Sequence, residues 1–119
     1  MDKELKPVLA IDFDGTIADD SNFPVIGEMK KGAREAIEKL SEKYEIVINS
    51  CRTSKKFRSK PDYQKRVSEM IEWLKEHKIK YDRINMGDEG KIVAKVYIDN
   101  RAIRFEDNWN KILKQCLNL

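Results

Sequence analysis

Apolar residues follow two rhythms along this chain, short unbroken runs and runs spaced three to four apart. Val8 to Phe13 is mostly unbroken and predicts a buried strand. Met29, Ala33, Ala36, Ile37 and Leu40 recur at helical spacing and predict an amphipathic helix over roughly residues 29–43. Tyr44 to Asn49 is β-branched and apolar, a second strand. Pro61 suits the first turn of the next helix, which carries Val67, Met70, Ile71 and Leu74 on one face and runs to about Lys78. Tyr81 to Met86 predicts a weaker strand and Lys95 to Ile98 a short fourth one. Trp109, Ile112, Leu113, Cys116 and Leu117 mark a closing helix. Trp73 and Trp109 read as core or partly buried packing residues, and His77 as exposed at a helix end.

Strands alternating with helices favour parallel pairing through right-handed crossovers, hence an α/β fold. Ligands of such sheets gather beyond the carboxyl ends of the strands, where the strand order reverses. The polar clusters lie there: Asp12 after the first strand, Ser50-Cys51-Arg52 after the second, Asp99-Asn100-Arg101 after the fourth. At 119 residues the chain has room for one layered core, so residues 1–119 are read as one domain. A net charge of +3 does not by itself call for nucleic acid. No stretch is long and apolar enough to cross a bilayer, and Met1-Asp2-Lys3-Glu4 lacks the order of a signal peptide. Cys51 and Cys116 give no disulfide framework, so a reduced cytoplasmic setting is expected.

The sharpest signal is Asp12-Phe13-Asp14-Gly15-Thr16. Burying an unpaired carboxylate is costly, so two acids at the end of a buried strand must meet a cation, water or a reacting group. The Gly-Thr that follows supplies a turn able to aim backbone N–H groups inward. Ile11 to Thr16 matches the first motif of the haloacid dehalogenase-like superfamily of phosphohydrolases. Val47 to Ser50 resembles its second motif, Lys91 its third and Val96 to Asn100 its fourth, in the family's order over residues 8 to about 104.

The resemblance implies a Rossmann-like three-layer sandwich with a mainly parallel central sheet. It implies no separate cap domain, because the gaps Ile17–Glu28 and Thr53–Lys60 are too short for one. It further implies a Mg²⁺-dependent phosphomonoesterase with Asp12 as nucleophile. Asp14 would be the general acid and base, Ser50 a donor to the phosphoryl oxygens, and Lys91 the phosphate-neutralising cation. Asp12, the Asp14 carbonyl and Asp99 would hold Mg²⁺, while Phe13, Gly15, Thr16 and Arg52 would contribute to substrate binding. An ionised carboxylate needs no base to activate it, and an acid at position 14 favours phosphate esters over carbon–halogen bonds. Asn100 departs from the family pattern, where a second acid is common.

Other readings weigh against this one. Cys51 does not begin a Cys-x5-Arg phosphatase loop, because residue 57 is Phe and Arg58 falls one place late; Cys51 is then read as structural. Gly87-Asp88-Glu89-Gly90-Lys91 is too short for a nucleotide-binding Walker loop. A phosphotransferase would use the same Asp12 intermediate, and a non-catalytic phosphate- or metal-binding module would keep the fold without turnover. The run Lys55, Lys56, Arg58, Lys60, Lys65 and Arg66 is first a solvated face. Its functional reading is a grip on a polynucleotide end, the minority alternative to a small phosphorylated molecule. Water exclusion at an uncapped site could come from a bulky substrate, from a second subunit in a homo-oligomer, or from residues 19–27 folding over as a flap.

Overall fold

Strand β1 (Val8–Ile11) runs through the middle of the sheet, and its register explains the core. It pairs in parallel with β2 (Glu45–Ile48) on one side and β4 (Val96–Ile98) on the other, and β3 (Arg83–Ile84) pairs in parallel with β2. The order is therefore β3-β2-β1-β4, an all-parallel Rossmann-like α/β sheet. This is a computed structural model describing residues 5–56, 58–87 and 91–118. The readings that involve Met1-Asp2-Lys3-Glu4, Phe57 and Asp88-Glu89-Gly90 lie outside the described residues.

In-register partners share a face, so Leu9, Ile11, Ile46 and Ile48 point one way while Ala10 and Val47 point the other. The first group builds the main core with Ile37 of α1 (Ala33–Leu40) and with Met70, Trp73 and Leu74 of α2 (Lys60–Glu76). The second group meets Ile92 from the segment entering β4. Continuous apolar strands follow from this burial on both faces.

The helices begin and end where local chemistry requires. The α1 helix starts at Ala33 rather than near Met29, because Gly32 sits at φ +83° immediately before it. Met29 instead bridges to Ala18, and the Lys30 N–H donates to the Ile17 carbonyl at 2.7 Å. At the other helix, the Ser59 hydroxyl accepts the Asp62 N–H and Pro61 occupies the first turn. That helix stops at Glu76, and Lys78 turns back at φ +55°. His77 is half-buried rather than exposed, stacked on Trp73 with ring centroids 3.8 Å apart.

The closing helix α3 (Trp109–Leu117) forms as expected but buries none of its residues. Trp109 is 70% exposed and touches Phe105, which corrects the expectation of a core or partly buried packing residue. Periodicity establishes an amphipathic helix; it does not say what the apolar side meets. Among the described residues, no helix is long and apolar enough to cross a membrane.

Candidate active site

The strand order reverses at β1, whose neighbours β2 and β4 are reached by connections running in opposite directions along the sheet. A crevice opens there beyond the carboxyl ends. The Asp12 N–H donates to the Ile98 carbonyl at 2.9 Å, which sets the turn after β1 beside the turn after β4. A cleft of about 500 Å³ lies over this point, and Asp12, Asp14, Ser50 and Asp99 all line it. Asp20, Phe23, Asn49, Cys51 and Arg101 complete its walls.

Asp12 pays for its position. Burial pushes its pKa up to about 6, and the charges of Asp99 and Asp14 push the same way. Hydrogen bonds from the Phe13 N–H and the Thr16 hydroxyl oppose the rise. A site that holds two acids against each other in this way favours a cation.

The turn after β1 closes on itself. The Phe13 carbonyl accepts from Thr16, Ile17 and Ala18, while the Gly15 N–H donates to Ala18 at 2.7 Å. The N–H groups of Gly15 and Thr16 are therefore spent inside the turn, which corrects the expectation that they cradle phosphate. The Phe13 ring is fully buried against Trp73, with centroids 5.2 Å apart, and the Phe13 N–H, expected in the phosphate cradle, donates to Asp12. Gly15 is required twice over. It sits at φ +85°, and a Cβ there would lie 2.5 Å from Asn100 Nδ2 and 2.9 Å from Asp20 Oδ2. Gly15→Ala is expected to destabilise the fold by about 1–3 kcal/mol in urea unfolding and to spread the β1 and β4 turns apart. Asn100, the departure from the family pattern, here packs on Gly15, its Oδ1 3.4 Å from the Thr16 hydroxyl oxygen.

Ser50 follows β2 by two residues and caps the 3₁₀ turn Cys51–Thr53, its Oγ accepting the Arg52 N–H at 3.1 Å. Arg58 braces the same turn, donating through Nη1 to the carbonyls of Cys51 and Arg52. Cys51 is exposed and faces the cleft, so the expectation of a structural thiol is corrected.

Arg52 departs furthest from its expected place. Its side chain is fully buried, and it forks onto Asp14: Nε to Oδ2 at 2.8 Å and Nη2 to Oδ1 at 2.9 Å. It is neither a substrate contact nor a surface ion pair. A guanidinium matches a carboxylate edge to edge, and that match draws it inward once Phe13 and Phe23 flank it. Asp14 keeps an edge on the cleft while Arg52 grips it from behind.

Lys91 does not join the cleft. Its ammonium lies 5.8 Å from the centre of the Tyr97 ring, and among the described residues the cation lining the cleft is Arg101. Two further cleft residues escaped sequence reasoning. Asp20 lies in the flap segment, and Asn49 ends the expected second strand one place before Ser50.

The expected flap borders the cleft. Phe23 lines it, Ile26 packs on the core, and the Asp19 N–H and Glu28 carbonyl close its base at 2.8 Å. The Ser21 hydroxyl and N–H both donate to Asp19 and hold its carboxyl below the usual range. On the opposite side a second hollow of about 300 Å³ shares Asn49 and Ser50 with the cleft and carries Lys55 and Lys56 at its rim. Asn85 braces its floor, donating to Asn49 at 3.2 Å.

The donor set suits a hard cation. The carboxylates of Asp12 and Asp99 and the carbonyl of Asp14 offer oxygen alone, the ligation that Mg²⁺ takes together with water. Among the described residues, no three acid, thiol or imidazole side chains converge on one point. Backbone and water oxygens would therefore complete such a shell.

No protein-family profile matches this chain, and no curated protein matches it either. A solved structure does, a conserved protein from Bacteroides thetaiotaomicron. It is 26% identical, with a TM-score of 0.63, over 95% of this chain and 91% of that one. The likeness extends over nearly the whole of both chains.

Proposed function

We propose that this protein is a Mg²⁺-dependent phosphomonoesterase of the uncapped haloacid dehalogenase-like type. One observation carries the reading: Asp12 and Asp99 stand at adjacent strand ends at the reversal of strand order, sharing one cleft with Asp14 and Ser50. An Asp12 oxygen attacks phosphorus in line, and the bond from phosphorus to the ester oxygen breaks. In the substrate complex Asp14 would have to carry a proton on its cleft-facing edge, beside the Arg52 fork; the departing oxygen takes that proton, and a water then attacks the aspartyl-phosphate and returns a proton to Asp14. The bond from phosphorus to Asp12 breaks, releasing inorganic phosphate and restoring the carboxylate. Ser50 donates to a phosphoryl oxygen, and Arg101 supplies positive charge from the cleft wall. Mg²⁺ held by Asp12, Asp99 and the Asp14 carbonyl would offset the repulsion between carboxylate and phosphate. Exposed, unpaired Cys51 and Cys116 suit a reducing, cytoplasmic compartment.

The test is hydrolysis of p-nitrophenyl phosphate with Mg²⁺ and after chelation. Turnover that requires Mg²⁺ is expected; a protein inert toward every phosphate ester, with or without the ion, removes the reading.

The hollow beside Ser50 favours a second reading of the substrate, a phosphorylated polynucleotide end laid along Lys55 and Lys56. Replacing both lysines by alanine is then expected to raise KM for a phosphorylated oligonucleotide about tenfold, leaving p-nitrophenyl phosphate within about twofold. Equal change for both substrates counts against polynucleotides. Arg58 is not part of this grip, because it is committed to the carbonyls of the 3₁₀ turn.

A further inference from the structure

Arg52 holds two parts of the site at once. Besides its fork onto Asp14, Nη2 donates to the Pro24 carbonyl at 2.8 Å, and its guanidinium carbon lies 5.0 Å from the Phe23 ring centre. Phe23 and Pro24 belong to the flap, and Phe23 lines the cleft. Among the described residues, Nη1 is buried with no hydrogen-bond partner. A buried donor left unmade is costly, so Arg52 is tightly enclosed yet incompletely satisfied.

We propose that Arg52 is a positioning residue that latches the flap to Asp14, so that flap seating and the aim of the Asp14 carboxylate are a single event. With the flap down, the Pro24 carbonyl and the Phe23 ring fix the guanidinium, and the guanidinium fixes both Asp14 oxygens on the edge of the cleft. When the flap lifts, Arg52 loses the Pro24 carbonyl and its aromatic cover, water reaches it, and Asp14 is no longer held. An uncapped site thereby gains what a cap domain provides, a proton-transfer group in place only when the site is covered. The catalytic half of this inference rests on the phosphatase reading; the mechanical half does not.

The experiment has two arms. In the first, amide hydrogen exchange is followed without substrate in the wild type, Arg52→Lys, Asp14→Asn and Phe23→Leu. The latch requires the flap amides of Phe23, Val25 and Gly27, each hydrogen-bonded within the loop, to exchange about tenfold faster in Arg52→Lys and Asp14→Asn alike. The core amides of β1 and β2 should not change. Flap exchange equal to wild type in both variants overturns the latch, whether or not the protein has any activity.

In the second arm, kcat is compared for p-nitrophenyl phosphate, whose leaving group departs without help, and glycerol 2-phosphate, which needs a proton. Arg52→Lys and Phe23→Leu should each lower kcat about tenfold or more on the alkyl ester and less than about threefold on the aryl ester. In an Asp14→Asn background, Arg52→Lys should add nothing further. Equal losses on both esters, or a full additional loss in that background, overturn the coupling. A wild type that hydrolyses neither ester defeats the phosphatase reading and leaves the first arm to decide the latch.

Discussion

On the phosphatase reading proposed above, Asp12→Asn should abolish phosphate ester hydrolysis, by at least about a thousandfold in kcat, while making the metal-free protein more stable. The first effect follows from the nucleophile: an amide oxygen cannot form the acyl phosphate. The second follows from the raised pKa. Asp12 ionises at about 6 in the folded chain against 3.8 ordinarily, so the folded state binds its proton more tightly than the unfolded state does. That contribution is fully present below pH 3.8 and is lost as the pH rises through 6. At pH 7.5 the folded chain thus carries an unfavourable charge that asparagine lacks. The full shift corresponds to about 3 kcal/mol, reduced to the order of 1 kcal/mol by solvent screening at a half-exposed group. Thermal melts in chelator should place Asp12→Asn above wild type at pH 7.5, with the gap closing toward pH 4. A variant less stable than wild type at both pH values would contradict the electrostatic account, and one that retained turnover would remove Asp12 as nucleophile.

Phe13→Ala should produce the largest loss of stability, about 3–5 kcal/mol. Its ring is fully buried, meets the Trp73 ring edge-on at 85° and lies 5.7 Å below the Arg52 guanidinium. Removing it leaves a cavity beneath the turn that carries Asp12 and Asp14, and takes away one of the two rings flanking a buried cation. Against a total of roughly 5–15 kcal/mol for a domain of this size, the variant stands near unfolding at 37 °C. A shift in the urea midpoint with unchanged slope measures the effect, and a loss below about 1 kcal/mol shows that the ring does not brace the core.

What could be read from residues alone divides along physical lines. The strands were legible because the central ones are buried on both faces, so Leu9 to Ile11 and Ile46 to Ile48 are unbroken apolar runs. Their parallel pairing followed from alternation with helices, and that pairing alone gathers Asp12, Ser50 and Asp99 at one crevice. The start of α1 was not legible, because Met29 has helical spacing to Ala33 but spends its backbone on a bridge to Ala18. Trp109 was misplaced because size and apolarity give no guarantee of a partner.

Arg52 and Lys91 teach the complementary point. A cation beside a phosphate motif invites a substrate contact, yet a nearer carboxylate claims Arg52 and a nearer aromatic face holds Lys91. Competition among neighbours settles such cases, and sequence does not display neighbours. Asp20 was overlooked for the same reason: its place in the cleft depends on how residues 19–27 fold back.

The position of β4 has a consequence for robustness. This strand stands at the margin of the sheet with β1 as its one partner there, its three residues are all exposed, and it delivers Asp99 to the cleft. A strand anchored on one side detaches at lower free-energy cost than the layers beneath it. Mild denaturant or warming should therefore strip Asp99 and Arg101 from the cleft while α1, α2 and the inner strands stay intact. The arrangement of the cleft would then be lost ahead of helical circular dichroism, leaving a chain still folded by bulk criteria but without the site proposed to act on phosphate.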